Sequence, residues 1–256
     1  MGSKKYKGKP CVYCAVPGAS ETGDHVIARE FFRKPWPENL PIVPACLRCN
    51  NEKSKLEHYA TAVLPFGAAH AEASAVLSTL VPGRLANNQK LHRHLAENAN
   101  TKYVSRDGGR SWESGMSVPL DASKIEKLYE LIARGLVFWE WDVLLPDADC
   151  AVLAGFLTSD GRSFFDHYFV GQGVGTGVRN FGNGVFVYEG VQSLESPQLT
   201  LLRMSLYGAE MGGDRKSPGE RVTMAYALTA PRRISAATRF MEYMRTGDVA
   251  VLRSST

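Results

Sequence analysis

The chain has 256 residues, 44% of them hydrophobic, and a formal net charge of +4, figures that fit a soluble globular protein of one large domain or two small ones. No apolar run is long enough to span a bilayer. The lysine-rich start (Lys4, Lys5, Lys7, Lys9) leads into no apolar segment of the kind an export signal carries, so a cytoplasmic protein with no membrane partner is expected.

Charge is unevenly spread. Residues 1–60 hold ten Lys and Arg against six Asp and Glu, whereas residues 61–256 hold twenty of each. The whole excess therefore lies in the first segment, where positive charge attracts a phosphate backbone. A solvated basic tail accounts for the same excess, and charge alone does not separate the two readings.

Residues 1–60 read as a small unit with its own staple, because so short a segment buries too little apolar surface to hold itself together. Within it, Gly23–Ile27 reads as a short strand and Asn39–Pro44 as its partner. A helix then opens at Cys49-Asn50-Asn51-Glu52-Lys53 and runs on past Tyr59. Residues 66–98 carry a helical pattern (Leu77, Leu80, Leu91, Leu95) broken at Pro82-Gly83. Residues 101–120 are polar and rich in Gly and Ser, which predicts a loop or linker. Asp121 is placed to cap a helix through Ile125, Leu128, Leu131 and Ile132, with Gly135 as its stop.

Strands are predicted at Val137–Trp141, Ala151–Leu157, Phe164–Val170, Val185–Tyr188, Leu199–Tyr207 and Val222–Leu228. A helix near Ala236–Arg245 and a strand near Val249–Leu252 follow. The fold class is thus α+β. Its parts are an N-terminal zinc-stapled module (1–60), a helical connector and loop (61–120), and an α+β, mainly antiparallel C-terminal domain (121–256). That last domain is of unknown role and is assigned to recognition of substrate, of a protein partner or of a second copy.

Four of the five cysteines form two Cys-x-x-Cys pairs, Cys11/Cys14 and Cys46/Cys49. Each such turn places two sulfurs on one side of an ion, and two turns complete the closed tetrahedral site of structural zinc. A redox reading requires a neighbouring βαβ unit, which the pattern lacks. Cys150 stands alone before an apolar run and reads as a buried, inert thiol.

The zinc frame encloses Asp24-His25 and Asn39, and Asn50 and Lys53 follow it. A histidine titrates near neutrality, so His25 is suited to take a proton from water. Carboxylate and amide oxygens such as those of Asp24 and Asn50 suit magnesium or manganese, which would polarise a phosphoryl group. Lys53 and Lys55 are placed to contact neighbouring phosphates. Singly, each residue reads as a capping, turn or solvated side chain. Their joint placement inside two knuckles argues for phosphodiester chemistry.

This combination (Cys11, Cys14, Asp24-His25, Asn39-Leu40, Cys46-x-x-Cys49-Asn50, Lys53) resembles the HNH endonucleases, the ββα-metal nucleases, in their four-cysteine form. The longer match through Ser54-Lys55-x-Glu57-x-Tyr59 is similar to bacterial stand-alone members. The resemblance implies a treble-clef-like ββα-metal module. It casts His25 as the residue that activates water, Asn39 as the one that pins the loop and orients that histidine, and Asp24 and Asn50 as ligands of the catalytic ion. Ser54 stands where some relatives carry a further metal-binding histidine, which leaves phosphate and water to complete the ion's shell. The implied activity is metal-dependent hydrolysis of DNA, rather than RNA, leaving a 5′-phosphate and a 3′-hydroxyl, with defence against foreign DNA as a role. The alternative is a zinc-stabilised module that binds nucleic acid without cutting it.

Three other features are set aside. Gly171-x-Gly173-x-Gly175-x-Gly177 lacks dinucleotide-binding spacing and reads as a hairpin loop. His92 and His94 fall on different faces of a helix. Phe138, Trp139 and Trp141 are of the type that stacks bases, but core packing is their commoner use.

Overall fold

The computed structural model describes residues 4–66, 68, 70–104, 111–157, 159–169, 173–208, 224–233, 235–246 and 248. Strand β1 (Thr22–His25) pairs antiparallel with β2 (Ile42–Ala45), placing Asp24 opposite Val43 and His25 opposite Ile42. The connection between them holds a short 3-10 turn, Arg29–Phe31. Helix α1 (Leu47–Val63) follows at once, its N-terminus capped by Cys46, whose sulfur accepts from the Cys49 amide at 3.4 Å. The Cys46 sulfur thus belongs to the cysteine pairs and caps the helix at once, which ties the direction of α1 to the hairpin.

Three short helices come next: α2 (Ala71–Thr79), α3 (Val81–Ala86) and α4 (Gln89–Glu97). Pro82 does not end a helix here. It occupies the first turn of α3, where a missing N–H costs nothing. The stretch expected as a loop over 101–120 contains a hairpin, β3 (Asn100–Val104) with β4 (Glu113–Ser117). Its polar composition hid it, and residues 105–110 of the expected loop lie outside the described residues.

Helix α5 (Ala122–Trp141) starts as predicted, with Asp121 accepting from the Lys124 amide at 3.3 Å. It does not stop at Gly135. It runs through the segment expected as a strand, Val137–Trp141, and ends at Asp142 in the left-handed region (φ 54°). The β-prone residues are helical because Leu136 and Val137 continue the buried stripe of Ile125, Leu128 and Ile132, and burial overrides propensity. Gly135 serves packing instead: a Cβ there would lie 2.7 Å from the side chain of Val26.

The remaining strands form an antiparallel sheet in the order β5 (Cys150–Gly155), β10 (Met224–Pro231), β9 (Thr200–Leu206), β8 (Phe186–Gln192). Two short strands, β6 (Val174–Gly175) and β7 (Arg179–Phe181), share the last edge. The segment expected as the strand Phe164–Val170 lies in a helix, α6 (Ser159–Phe169), up to residue 169; Val170 is outside the described residues. Phe165 and Phe169 are one turn apart and stack at 5.9 Å against the sheet. Helix α7 (Ser235–Thr246) matches its expectation, while the expected strand near 249–252 lies outside the described residues.

One face of the sheet (Leu202, Met204, Ala225, Ala227) packs on α5 and the cysteine-bearing hairpin in a single continuous core. The other face (Leu201, Tyr226, Leu228) packs on Phe165, Phe240 and Tyr243 from α6 and α7. The core therefore does not break at residue 60 or 120. Among the described residues no helix is long and apolar enough to cross a membrane.

Candidate functional site

The sulfurs of Cys11, Cys14, Cys46 and Cys49 lie within 4.8 Å of one another. They meet because the Cys46 amide donates to the Cys11 sulfur at 3.4 Å, just as the Cys49 amide donates to that of Cys46. Such closeness is electrostatically costly for thiolates alone: burial, then the neighbouring sulfurs, push the Cys49 thiol well above its usual value. A soft divalent cation removes that conflict, and four convergent sulfurs are the donor set of structural zinc. The cluster is suited to hold one zinc ion. Cys150 is buried at the start of β5, where burial raises its thiol, in keeping with an inert role.

Asp24 lies beneath the hairpin and is almost fully buried. Its Oδ2 accepts from the Tyr13 hydroxyl at 2.5 Å and pairs with the Lys53 ammonium at 3.0 Å. Burial, then the Asp24 charge, push the Tyr13 hydroxyl far above its usual value, so it stays a donor. Lys53 also donates to the His25 carbonyl at 2.7 Å and to the Glu57 carboxylate one turn along α1. Glu57 is raised by burial and held back by Lys53.

Lys53 thereby departs from its expected role at a phosphate. Its side chain is 0% exposed and its three donor positions are all engaged inside the protein. The reason is register: Cys49, Lys53 and Ala60 share the buried stripe of α1. That spacing was readable in the sequence, as was Glu57 four residues on. Lys55 lies off the stripe and is exposed, as a phosphate contact requires.

His25 ends β1 with its ring half-buried. Burial, then the nearby Arg29 charge, lower its pKa from the ordinary 6.5, against the opposing pull of Asp24. Both effects favour the neutral imidazole, the form that accepts a proton. Arg29 is exposed, and its guanidinium covers the Trp36 ring at 4.5 Å, with the Lys34 ammonium at 4.9 Å from the same ring. The connection carrying these residues is tied down from afar. The Tyr207 hydroxyl donates to the Phe31 carbonyl at 2.5 Å, and the two Arg84 amino groups donate to the Thr61 and Glu30 carbonyls at 2.8 and 2.5 Å.

Asn39 does not meet its expected partner. Among the described residues no hydrogen bond joins it to His25; it is exposed and lines a cleft of about 530 Å³ against Trp139 and Arg179. Asn50 sits in the first turn of α1, half-buried.

No family model, no curated relative and no solved structure matches this chain. The site is accordingly judged on its own donors. The sulfur cluster fits zinc. For a hard ion, Asp24 and Asn50 offer oxygens of the right chemistry, but Asp24 already carries an ammonium on one oxygen, and the cysteines are the one group of three or more metal-type side chains that converges among the described residues. Sequence reasoning missed Tyr13, Glu57 and Arg29. Tyr13 lies inside the first knuckle and Glu57 one turn after Lys53, so their positions carried a signal. The influence of Arg29 on His25 depends on the fold of the connection.

Proposed function

We propose that this protein is an HNH-type endonuclease that hydrolyses DNA phosphodiester bonds. The observation that carries the reading is a half-buried imidazole at the end of a hairpin whose neighbouring acid is held by Tyr13 and Lys53 and whose frame is a four-sulfur cluster. His25 would accept the proton of the attacking water. Lys53 and Tyr13 hold Asp24 in one orientation, and the Lys53 bond to the His25 carbonyl fixes the backbone from which the imidazole projects. Arg29 and Lys55, both exposed, would take the phosphates on either side. Asp24 and Asn50 would hold magnesium or manganese, which when bound would polarise the phosphoryl oxygen and stabilise the leaving oxyanion.

The test is incubation of supercoiled plasmid with the zinc-loaded protein and added magnesium or manganese. Nicked and linear DNA are expected, with His25→Ala slowing cleavage by about 10²–10⁴-fold while retaining its zinc. The pH profile carries a further expectation. A base must be deprotonated to act, and the His25 pKa is lowered, so kcat/KM falls on the acid side with a midpoint below 6.5. A midpoint above that value, or cleavage indifferent to His25→Ala, removes His25 from the role.

One observation favours a second reading, a module that binds nucleic acid without cutting it. The Lys53 ammonium stands against the Asp24 carboxylate, and a resident cation opposes the arrival of another. Under that reading wild type and His25→Ala retard DNA equally and neither nicks it.

A further inference from the structure

The cleft that Asn39 lines is formed where the β1–β2 connection faces the last edge of the sheet. Pro37, Glu38 and Asn39 make one rim, and Arg179 and Phe181 of β7 make the other, with Trp139 and Tyr188 between them. Its volume of about 530 Å³ lies within the range of small-molecule sites. Its chemistry is aromatic, with one acid, Glu38, on the first rim and one guanidinium, Arg179, on the other. Phe181 and Tyr188 stack nearly parallel, 12° apart with centroids at 6.2 Å. Trp139 is 50% exposed although it belongs to the otherwise deeply packed second half of α5.

The rim is also held in place. Glu140 accepts from the Tyr188 hydroxyl at 2.5 Å and takes Arg179 through both carboxylate oxygens, at 3.2 and 3.3 Å. Arg179 thus stays half-exposed with its fork anchored behind it. The connection that supplies the first rim begins directly after His25. It carries Arg29, Lys34 and Trp36 on the way, and Pro41, just past Asn39, accepts from the Val26 amide at 2.8 Å. The connection from the imidazole to the aromatic cleft thus presents Arg29, Lys34 and Trp36 to solvent, beside the exposed acids Glu30 and Glu38.

We infer that this cleft takes the base of an unpaired nucleotide flanking the phosphate at His25, stacked on Trp139. The inference rests on the nucleic-acid reading of the His25 site and gives it a substrate class: strands carrying a bulged, overhanging or otherwise unstacked base. A flat π-surface binds any base by its face, whereas a base inside a duplex has both faces covered and reaches such a cleft only after leaving the stack. Arg29 and Lys34 of the connection supply the sequence-independent contacts that keep the backbone alongside.

The experiment uses the full-length, zinc-loaded protein without added divalent ion and three fluorescein-labelled duplexes: one with a single bulged nucleotide, one with an abasic residue at the bulge, and one perfectly paired. The base-bearing bulge is expected to bind about tenfold tighter than the abasic one, with Trp139→Ala erasing the difference and Trp139→Phe keeping part of it. Equal zinc content in the variants shows that they are folded. Equal binding of the first two duplexes by wild type, or discrimination that survives Trp139→Ala, overturns the inference. So does a deoxynucleoside monophosphate that competes as well as the bulged duplex, since the cleft then serves free nucleotides. Cleavage of the same duplexes with magnesium is scored separately. Discrimination without cuts leaves the subsite standing and removes the nuclease, whereas cuts without discrimination do the reverse.

Discussion

The cysteine hairpin and the C-terminal sheet solve the same problem with different means. The hairpin pairs four residues with four, too few to supply a large apolar face. The cluster of four sulfurs and the buried group of Tyr13, Asp24, Lys53 and Glu57 do much of the holding. The sheet has strands of seven and eight residues whose aliphatic and aromatic side chains fill two cores, one on each face. Small folded pieces substitute bonds to ions and paired charges for area. The substitution makes them brittle, since each polar group depends on a specific partner, whereas apolar burial degrades by degrees.

Stripping the zinc is the sharpest way to expose the difference. Structural zinc contributes about 10–16 kcal/mol of binding free energy in zinc-finger peptides. Elemental analysis should find one zinc per chain and almost none in Cys46→Ser. In hydrogen exchange the amides of β1 and β2 should lose protection well before those of β8 and β9. Simultaneous loss in both would show that the two regions are a single cooperative unit and would break the contrast.

Lys53→Met comes next. It leaves Asp24 and Glu57 buried without their cation and should cost about 3–5 kcal/mol by urea denaturation; a change under 1 kcal/mol would mean that the carboxylates are solvated. Gly135→Ala tests the joint between the regions. The new methyl group meets Val26, and overpacking of about 1–3 kcal/mol outweighs the roughly 1 kcal/mol gained in helix propensity. The melting temperature should fall, and any cleavage activity with it, because Val26 adjoins His25. Thr229→Val probes the sheet. Thr229 shares a 2.7 Å hydrogen bond with Thr200 and donates to the Gln198 carbonyl at 2.6 Å, and their loss should cost about 1–3 kcal/mol by urea denaturation, less than the loss of Lys53.

What could be read in advance followed from local chemistry. Cysteine spacing predicts a metal cluster because two Cys-x-x-Cys turns have few other uses, and the alternating strands around Val187, Leu202 and Leu228 announced an antiparallel sheet. Reading failed where distant contacts decide. Val137–Trp141 is helical because Val137 continues the buried stripe of α5 and Phe138 and Trp141 pack against the shared core. Phe165 and Phe169 are rich in strand propensity, yet their spacing of four suited a helix packed on Tyr226 and Phe240. Lys53 was assigned outward on its charge although its place in the heptad-like stripe of α1 pointed inward. The cleft was beyond reach, since its walls come from residues 37–39, 139, 178–182 and 188, which only the folded chain brings together.

The anchoring of the segment after His25 has a practical corollary. Tyr207 and Arg84 grip the carbonyls of Phe31, Glu30 and Thr61, and Gly135 leaves the notch that receives Val26. A fragment cut at residue 60 would carry away the four clustered sulfurs yet abandon all three supports. Grafting the segment after His25 onto a foreign scaffold would therefore require transplanting the notch and both clasps, not merely the motif.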